Sequence, residues 1–181
     1  MKGIIFNLLE EVVTQQWGAT AWDDLLLESK LEGAYSGLIN YPDDELMALV
    51  GSASKQFNMP ADDVVRWFGS AAMPLLAERY PEFFEGHDSA STFLLTLNDI
   101  IHAEVRKLHP DAELPYFEME VPEPGVVSLV YASPRRLCSL AEGFINGAAR
   151  HFDEVLQFDQ PRCMKRGDDT CLLICSFSKL P

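Results

Sequence analysis

At Pro110 the chain changes its hydrophobic period, and that change limits its architecture more than any other feature. Ahead of it, apolar residues recur every three or four positions, the period of helices packed on one face. Beyond it, "YFEMEV" alternates, "PEPG" makes a turn and "VVSLVYAS" is β-rich, the signature of a hairpin. The spacing predicts helices over 2–16, 20–30, 43–57, 60–80 and 90–108. Pro42 and Pro60 sit where first-turn prolines belong, each followed by acids that suit the positive end of a helix dipole. A further helix is predicted over 135–152, with Leu137, Leu140, Ala141, Phe144, Ile145 and Ala148 at helical spacing. Two last strands, "EVLQFDQ" and "TCLLICSF", flank a turn at "KRGDD". Helices followed by hairpins give an α+β fold with an antiparallel four-stranded sheet rather than an alternating parallel one. The expected division is a helical lobe over about residues 1–60. A second lobe, carrying the connecting helix and the sheet, takes 61–181.

Charge narrows the partners. With 28 acidic against 14 basic side chains, the formal charge of −14 repels phosphate backbones, which argues against nucleic acid and anionic membranes and favours a basic protein face. "MKGIIFNLLEE" meets two glutamates too early for a signal peptide, so the expected compartment is the cytoplasm. Four cysteines there point to free thiols or a metal before disulfides.

Two stretches carry the chemistry. In "LVYASPRRLC", Tyr131, Ser133 and Arg135 stand at alternate positions and offer two hydroxyls and a guanidinium fork, a receptor for carboxylates. A polar strand end that caps the next helix would read the same way. In "STFLLTLNDIIHAEVRKLH", His102 lies on the flank of the apolar stripe formed by Leu94, Leu97, Ile101, Val105 and Leu108. Such a histidine is either a hydrogen-bonded core residue or a metal ligand. His109, before Pro110 at a frayed helix end, needs no ligand to explain it.

These pieces together resemble the haem nitric oxide/oxygen-binding (H-NOX) family. The likeness rests on "MKGIIFN", a histidine on the connecting helix, Pro115 after it and the Tyr-x-Ser-x-Arg pattern at Tyr131, Ser133 and Arg135, and it spans essentially the whole chain. The resemblance implies haem b with His102 as iron ligand and with Tyr131, Ser133 and Arg135 on its propionates. It also implies that Pro115 presses on the haem and distorts it, while Arg136 stays in solvent.

Oxygen-binding members carry a distal tyrosine five residues beyond the motif's arginine, where this chain has Leu140. An apolar distal face of Ile5, Leu9, Leu140 and Phe144 then favours nitric oxide and carbon monoxide over dioxygen, which gains from a donor. The implied function is a gas sensor, not an enzyme. Nitric oxide would loosen the bond to His102 and free the connecting helix, with Gly69 either a contact point for that helix or a simple close helix crossing.

Many bacterial members also hold a structural zinc. Cys138, Cys163 and Cys171 match the cysteine positions, but Gln160 replaces the histidine, and Cys175 lies roughly 13 Å along the strand from Cys171. His151 stands too far along the helix from Cys138 to share a metal with it. The chain stops soon after its last strand, so the expected output is a separate protein, a sensor histidine kinase or a cyclic-di-GMP enzyme. The competing readings are a zinc or thiol redox sensor built on the cysteines, a peroxidase, which would need a distal acid–base residue, and a lipophilic-ligand module of related fold.

Overall fold

The computed structural model describes residues 1–180. Four helices open the chain: α1 (Gly3–Trp17), α2 (Ala19–Ser29), α3 (Asp43–Gln56) and α4 (Ala61–Arg79). α3 begins directly after Pro42 with Asp43, Asp44 and Glu45 in its first turn, the composition a helix N-terminus favours. α1 buries Phe6, Leu8, Leu9, Val12 and Val13 against the others. These side chains and Trp22, Leu25, Leu49, Val64 and Phe68 form one apolar cluster.

The predicted connecting helix over 90–108 is not continuous. It is broken into α5 (Ala90–Leu94), a π-helical turn (Leu97–Ile101) and α6 (His102–Leu108). Ile101 donates its N–H to the Thr96 carbonyl and His102 donates to the Leu97 carbonyl, both five residues back. Asn98, Asp99, Ile100 and Ile101 are all mediocre helix formers, so the α register is weakly enforced there.

After Pro110 come β1 (Tyr116–Glu123), β2 (Val126–Ala132), α7 (Cys138–His151), β3 (Glu154–Arg162) and β4 (Cys171–Lys179). The sheet is antiparallel throughout, in the order β1-β2-β4-β3. Val127, Leu129 and Tyr131 alternate inward along β2 and meet Leu173, Cys171 and Cys175 of β4 in a second cluster, beneath α7. α7 starts at Cys138 rather than at the predicted Arg135. Residues 133–136 form a turn closed by the Arg136 N–H on the Ser133 carbonyl at 3.0 Å, with Arg136 in the left-handed region at φ 51°.

α4 and α7 are the shared wall of the two clusters. A boundary near residue 60 falls ahead of α4, yet Val64, Val65, Phe68, Ala72 and Leu75 of α4 pack into the helical cluster while Met73 faces the other. Among the described residues, no helix is long and apolar enough to cross a membrane.

Candidate functional site

Between the two clusters lies a cavity of about 830 Å³. That volume falls within the range of small-molecule and cofactor sites. Ile4, Ile5 and Leu8 of α1 face it from the helical lobe, and Leu140 and Phe144 of α7 close another wall. Leu9 is not among its walls. It is 3% exposed and packs into the helical cluster, and Leu8, one residue earlier on α1, takes the place expected of it. At about 100° per residue the two share a broad apolar face, so their division between cavity and core depends on how α1 is rotated.

His102 opens the far side. It lines the cavity from the first residue of α6, its ring stacked on Phe117 of β1 at 5.6 Å and 21°. Burial pushes its imidazolium well below the usual range, to about 4, and the charge of Arg106 adds to the effect. Its Nδ1 is buried with no hydrogen-bond partner. A neutral, under-satisfied imidazole against an apolar cavity is the form that binds a metal, and an orphaned ring nitrogen is a cost that a satisfied core histidine would not carry.

Polar groups gather at one end. Tyr131 and Ser133 are buried and Arg135 is mostly so, and all three line the cavity. Strand alternation accounts for Tyr131 alone, because β2 ends at Ala132; the turn over 133–136 brings Arg135 round to the same side. The Tyr131 hydroxyl accepts the Leu137 N–H at 3.0 Å and so ties the start of α7 to β2, while the Ser133 hydroxyl accepts the Arg135 N–H at 3.3 Å. Arg135 donates from Nε to Asp43 Oδ2 at 2.7 Å, from Nη1 to the Glu113 carbonyl at 2.8 Å and from Nη2 to Glu113 Oε2 at 2.8 Å. Pro115 lines the cavity two residues beyond Glu113, and Arg136 is exposed. An apolar slot with the His102 imidazole in its wall, His109 also lining it, and carboxylate-binding groups at one end fits an iron porphyrin with two propionates.

A family model described as Haem-NO-binding matches residues 2–160. The chain belongs to the haem-NO-binding family. An H-NOX protein from S. oneidensis, solved in the Fe(II)NO ligation state, is 36% identical, with a TM-score of 0.91 over 99% of this chain and 100% of its own. The H-NOX from Shewanella woodyi, in the Fe(II)CO state, is 30% identical and has a TM-score of 0.83 over 100% of this chain and 95% of its own. An unliganded Fe(II) H-NOX from K. algicida is 25% identical, with a TM-score of 0.87, and covers 99% of this chain and 98% of its own.

Within this haem-NO-binding fold a second cluster stands apart from the cavity. The sulphurs of Cys138, Cys163 and Cys171 lie within 4.8 Å of one another, with 3.8 Å between Cys138 and Cys163. Burial raises the Cys163 thiol, but the N–H groups of Lys165 and Arg166 and the neighbouring thiols outweigh it and leave the group lowered. Burial pushes Cys171 up to about 12. Gln160 ends in a buried Nε2 without a partner, and Cys175 is buried in the sheet outside the trio.

Gly69 faces α7, not the connecting helix. A Cβ there would stand 2.7 Å from the Leu140 carbonyl oxygen and 2.9 Å from the Phe144 nitrogen, so it serves a close crossing of α4 and α7. Sequence reading missed Leu8, Phe117, Asp43 and Glu113. Phe117 carried a signal, since it pairs with Tyr131 across the hairpin and shares its inward face. Asp43 and Glu113 reach the site through tertiary contacts that no local pattern encodes.

Proposed function

We propose that this chain is a haem-based sensor of nitric oxide and carbon monoxide that excludes dioxygen. His102 holds the iron of a haem b, and Tyr131, Ser133 and Arg135 bind the propionates. The observation that carries the reading is the orphaned, neutral imidazole of His102 in the wall of an apolar cavity whose other end binds carboxylates. Haem, when bound, supplies a ferrous iron with one side open to a diatomic gas.

The protein's own part is selection and transmission. Ile5, Leu8, Leu140 and Phe144 present no hydrogen-bond donor to the cavity, and a donor to bound dioxygen is worth on the order of 1.5–3 kcal/mol, or about one to two decades in affinity. Nitric oxide and carbon monoxide do not depend on that bond. The same side chains offer no acid or base, which supports sensing over peroxidase chemistry. His102 begins α6, so a change in its hold on a bound iron would be passed to α6 first. Pro115, in the cavity wall, would press on a bound haem and hold it under strain. The signal passes to a separate cytoplasmic partner, a histidine kinase or a cyclic-di-GMP enzyme, with a basic docking face that complements the charge of −14.

A second metal is favoured by one observation. The three sulphurs of Cys138, Cys163 and Cys171 already converge, which suits a structural zinc completed by a fourth donor. Metal analysis separates this from the alternative of a thiol redox sensor: one iron and one zinc per chain support the proposal, and three titratable thiols without zinc favour the alternative.

The decisive test of the haem reading is the absorption spectrum of the reduced protein in air and under nitric oxide, beside His102→Gly. The wild type should show high-spin ferrous haem that is unchanged by air and shifted by nitric oxide. His102→Gly should take up haem only when imidazole is supplied. A stable oxygenated spectrum would remove the claimed selectivity, and haem uptake by His102→Gly without imidazole would remove the ligand assignment.

A further inference from the structure

The chain leaves α-helical register directly beneath His102. In an α-helix the His102 N–H would bond the Asn98 carbonyl; here it bonds Leu97, five residues back, and the Asn98 carbonyl is set free. One inserted residue displaces everything after it by about 1.5 Å and turns it by about 100°. Such π turns are infrequent and concentrate at functional sites. A freed carbonyl in a half-buried segment must find another donor or bear a cost.

Both polar ends of Asn98 are claimed. Its carbonyl accepts from Arg106 Nη2 at 3.3 Å, which closes the turn onto α6. Its side-chain amide donates from Nδ2 to the Phe117 carbonyl at 2.8 Å, which fastens the turn to β1. β1 is an edge strand, and an edge carries backbone carbonyls without a neighbouring strand to satisfy them. The strand residue so fastened is the one whose ring stacks on His102. The turn, the imidazole and the aromatic plane beside it are therefore held by one asparagine.

We propose that Asn98 and Arg106 are positioning residues that hold a one-residue π turn beneath His102 and thereby set how its imidazole is presented to the iron. The inference rests on the reading of His102 as the iron ligand. Asn98 anchors the helix to the sheet, and Arg106 compensates the backbone for the register it has lost. When the hold on the iron weakens, these two bonds are what oppose movement of α6.

The test uses the full, haem-loaded chain and reads the iron–histidine stretching band of the reduced protein by resonance Raman scattering. It also follows the rate at which the nitric oxide complex loses its His102 bond. Asn98→Ala, and the isosteric Asn98→Asp that keeps the shape without the donor, should each bind one haem per chain, shift that band and speed the loss about fivefold, the factor expected for one net hydrogen bond. Arg106→Met should act in the same direction. Lys107→Met, which removes equal charge from the same helix, should leave the band in place. An unshifted band in Asn98→Ala and Asn98→Asp overturns the proposal while His102 stands as ligand, and a Lys107→Met shift equal to that of Arg106→Met overturns the part given to Arg106. Haem uptake by His102→Gly without imidazole overturns the ligand reading and this proposal together.

Discussion

Arg135 directs its guanidinium at carboxylates that belong to the protein. Three of its five N–H groups are engaged by Asp43 and Glu113, so two are left for the propionate of the proposed haem. Arginine can bridge in this way because its donors lie in one plane at fixed angles; a lysine ammonium on the same stem would serve one acceptor group and abandon the others. Arg135→Lys should therefore weaken haem binding by about tenfold or more, read from the rate of haem transfer to an apoprotein acceptor. Leu140 makes the complementary point. It is 9% exposed and adjoins the cavity, so Leu140→Tyr would bring a hydroxyl to the wall that α7 forms with Leu140 and Phe144, which has none. That variant should gain a dioxygen complex that lasts long enough to record in air-saturated buffer; an unchanged ferrous spectrum would remove the missing donor as the basis of the proposed selectivity. At this scale the residues singled out for their rare chemistry, His102 and Tyr131, both lie in the cavity wall. The sequence was less informative where residues are interchangeable, and the swap of Leu9 for Leu8 is an error of one apolar position on a helix that is apolar over a wide arc.

Glycines decide how the elements pack. Gly69, Gly143 and Gly147 all lie where α4 crosses α7, and a Cβ on Gly143 would run into the Arg66 carbonyl. Backbone cannot retreat as a side chain can, so Gly143→Ala should destabilise by about 2 kcal/mol or more and lower the thermal midpoint by several degrees. Gly51 is the control: it lies inside α3, and a Cβ there meets nothing within 4 Å. Gly51→Ala should raise stability by about 0.5–1 kcal/mol, since alanine is the better helix former. A thermal melt of the two variants distinguishes close crossing from a general dislike of substitution. The positions of most helices and all four strands were legible, because amphipathic period, first-turn prolines and hairpin turns are local signals. The break at Leu97–Ile101 was not, since an apolar stripe is compatible with either register and the bonds that select the π turn come from Phe117 and Arg106. The turn between β3 and β4 accounts for the convergence of Cys163 and Cys171, whereas the approach of Cys138 depends on the packing of α7 on the sheet.

The two lobes meet at the cavity, and Arg135 is a bolt across it. Asp43 opens α3 in the helical lobe, Glu113 lies in the segment between α6 and β1, and Arg135 stands in the turn between β2 and α7. Asp43 also accepts the amino group of Met1 at 2.7 Å, so a single carboxylate gathers two cations. Burial alone would raise the Asp43 carboxyl, but the hydrogen bonds from the Met1 amino group and Arg135, with their charges, hold it below its ordinary value of 3.8. A carboxyl lowered in the folded state binds its proton more readily when unfolded, so it adds stability that is fully present above 3.8 and is lost as the pH falls through the lower folded value. Asp43→Asn removes that dependence while keeping the side chain's shape. The stability gap between wild type and Asp43→Asn, measured by denaturant unfolding across pH 2–7, should be constant above about pH 5 and should narrow below about pH 4. A gap that stays constant down to pH 2 would mean that Asp43 acts by shape or solvation and not by its charge.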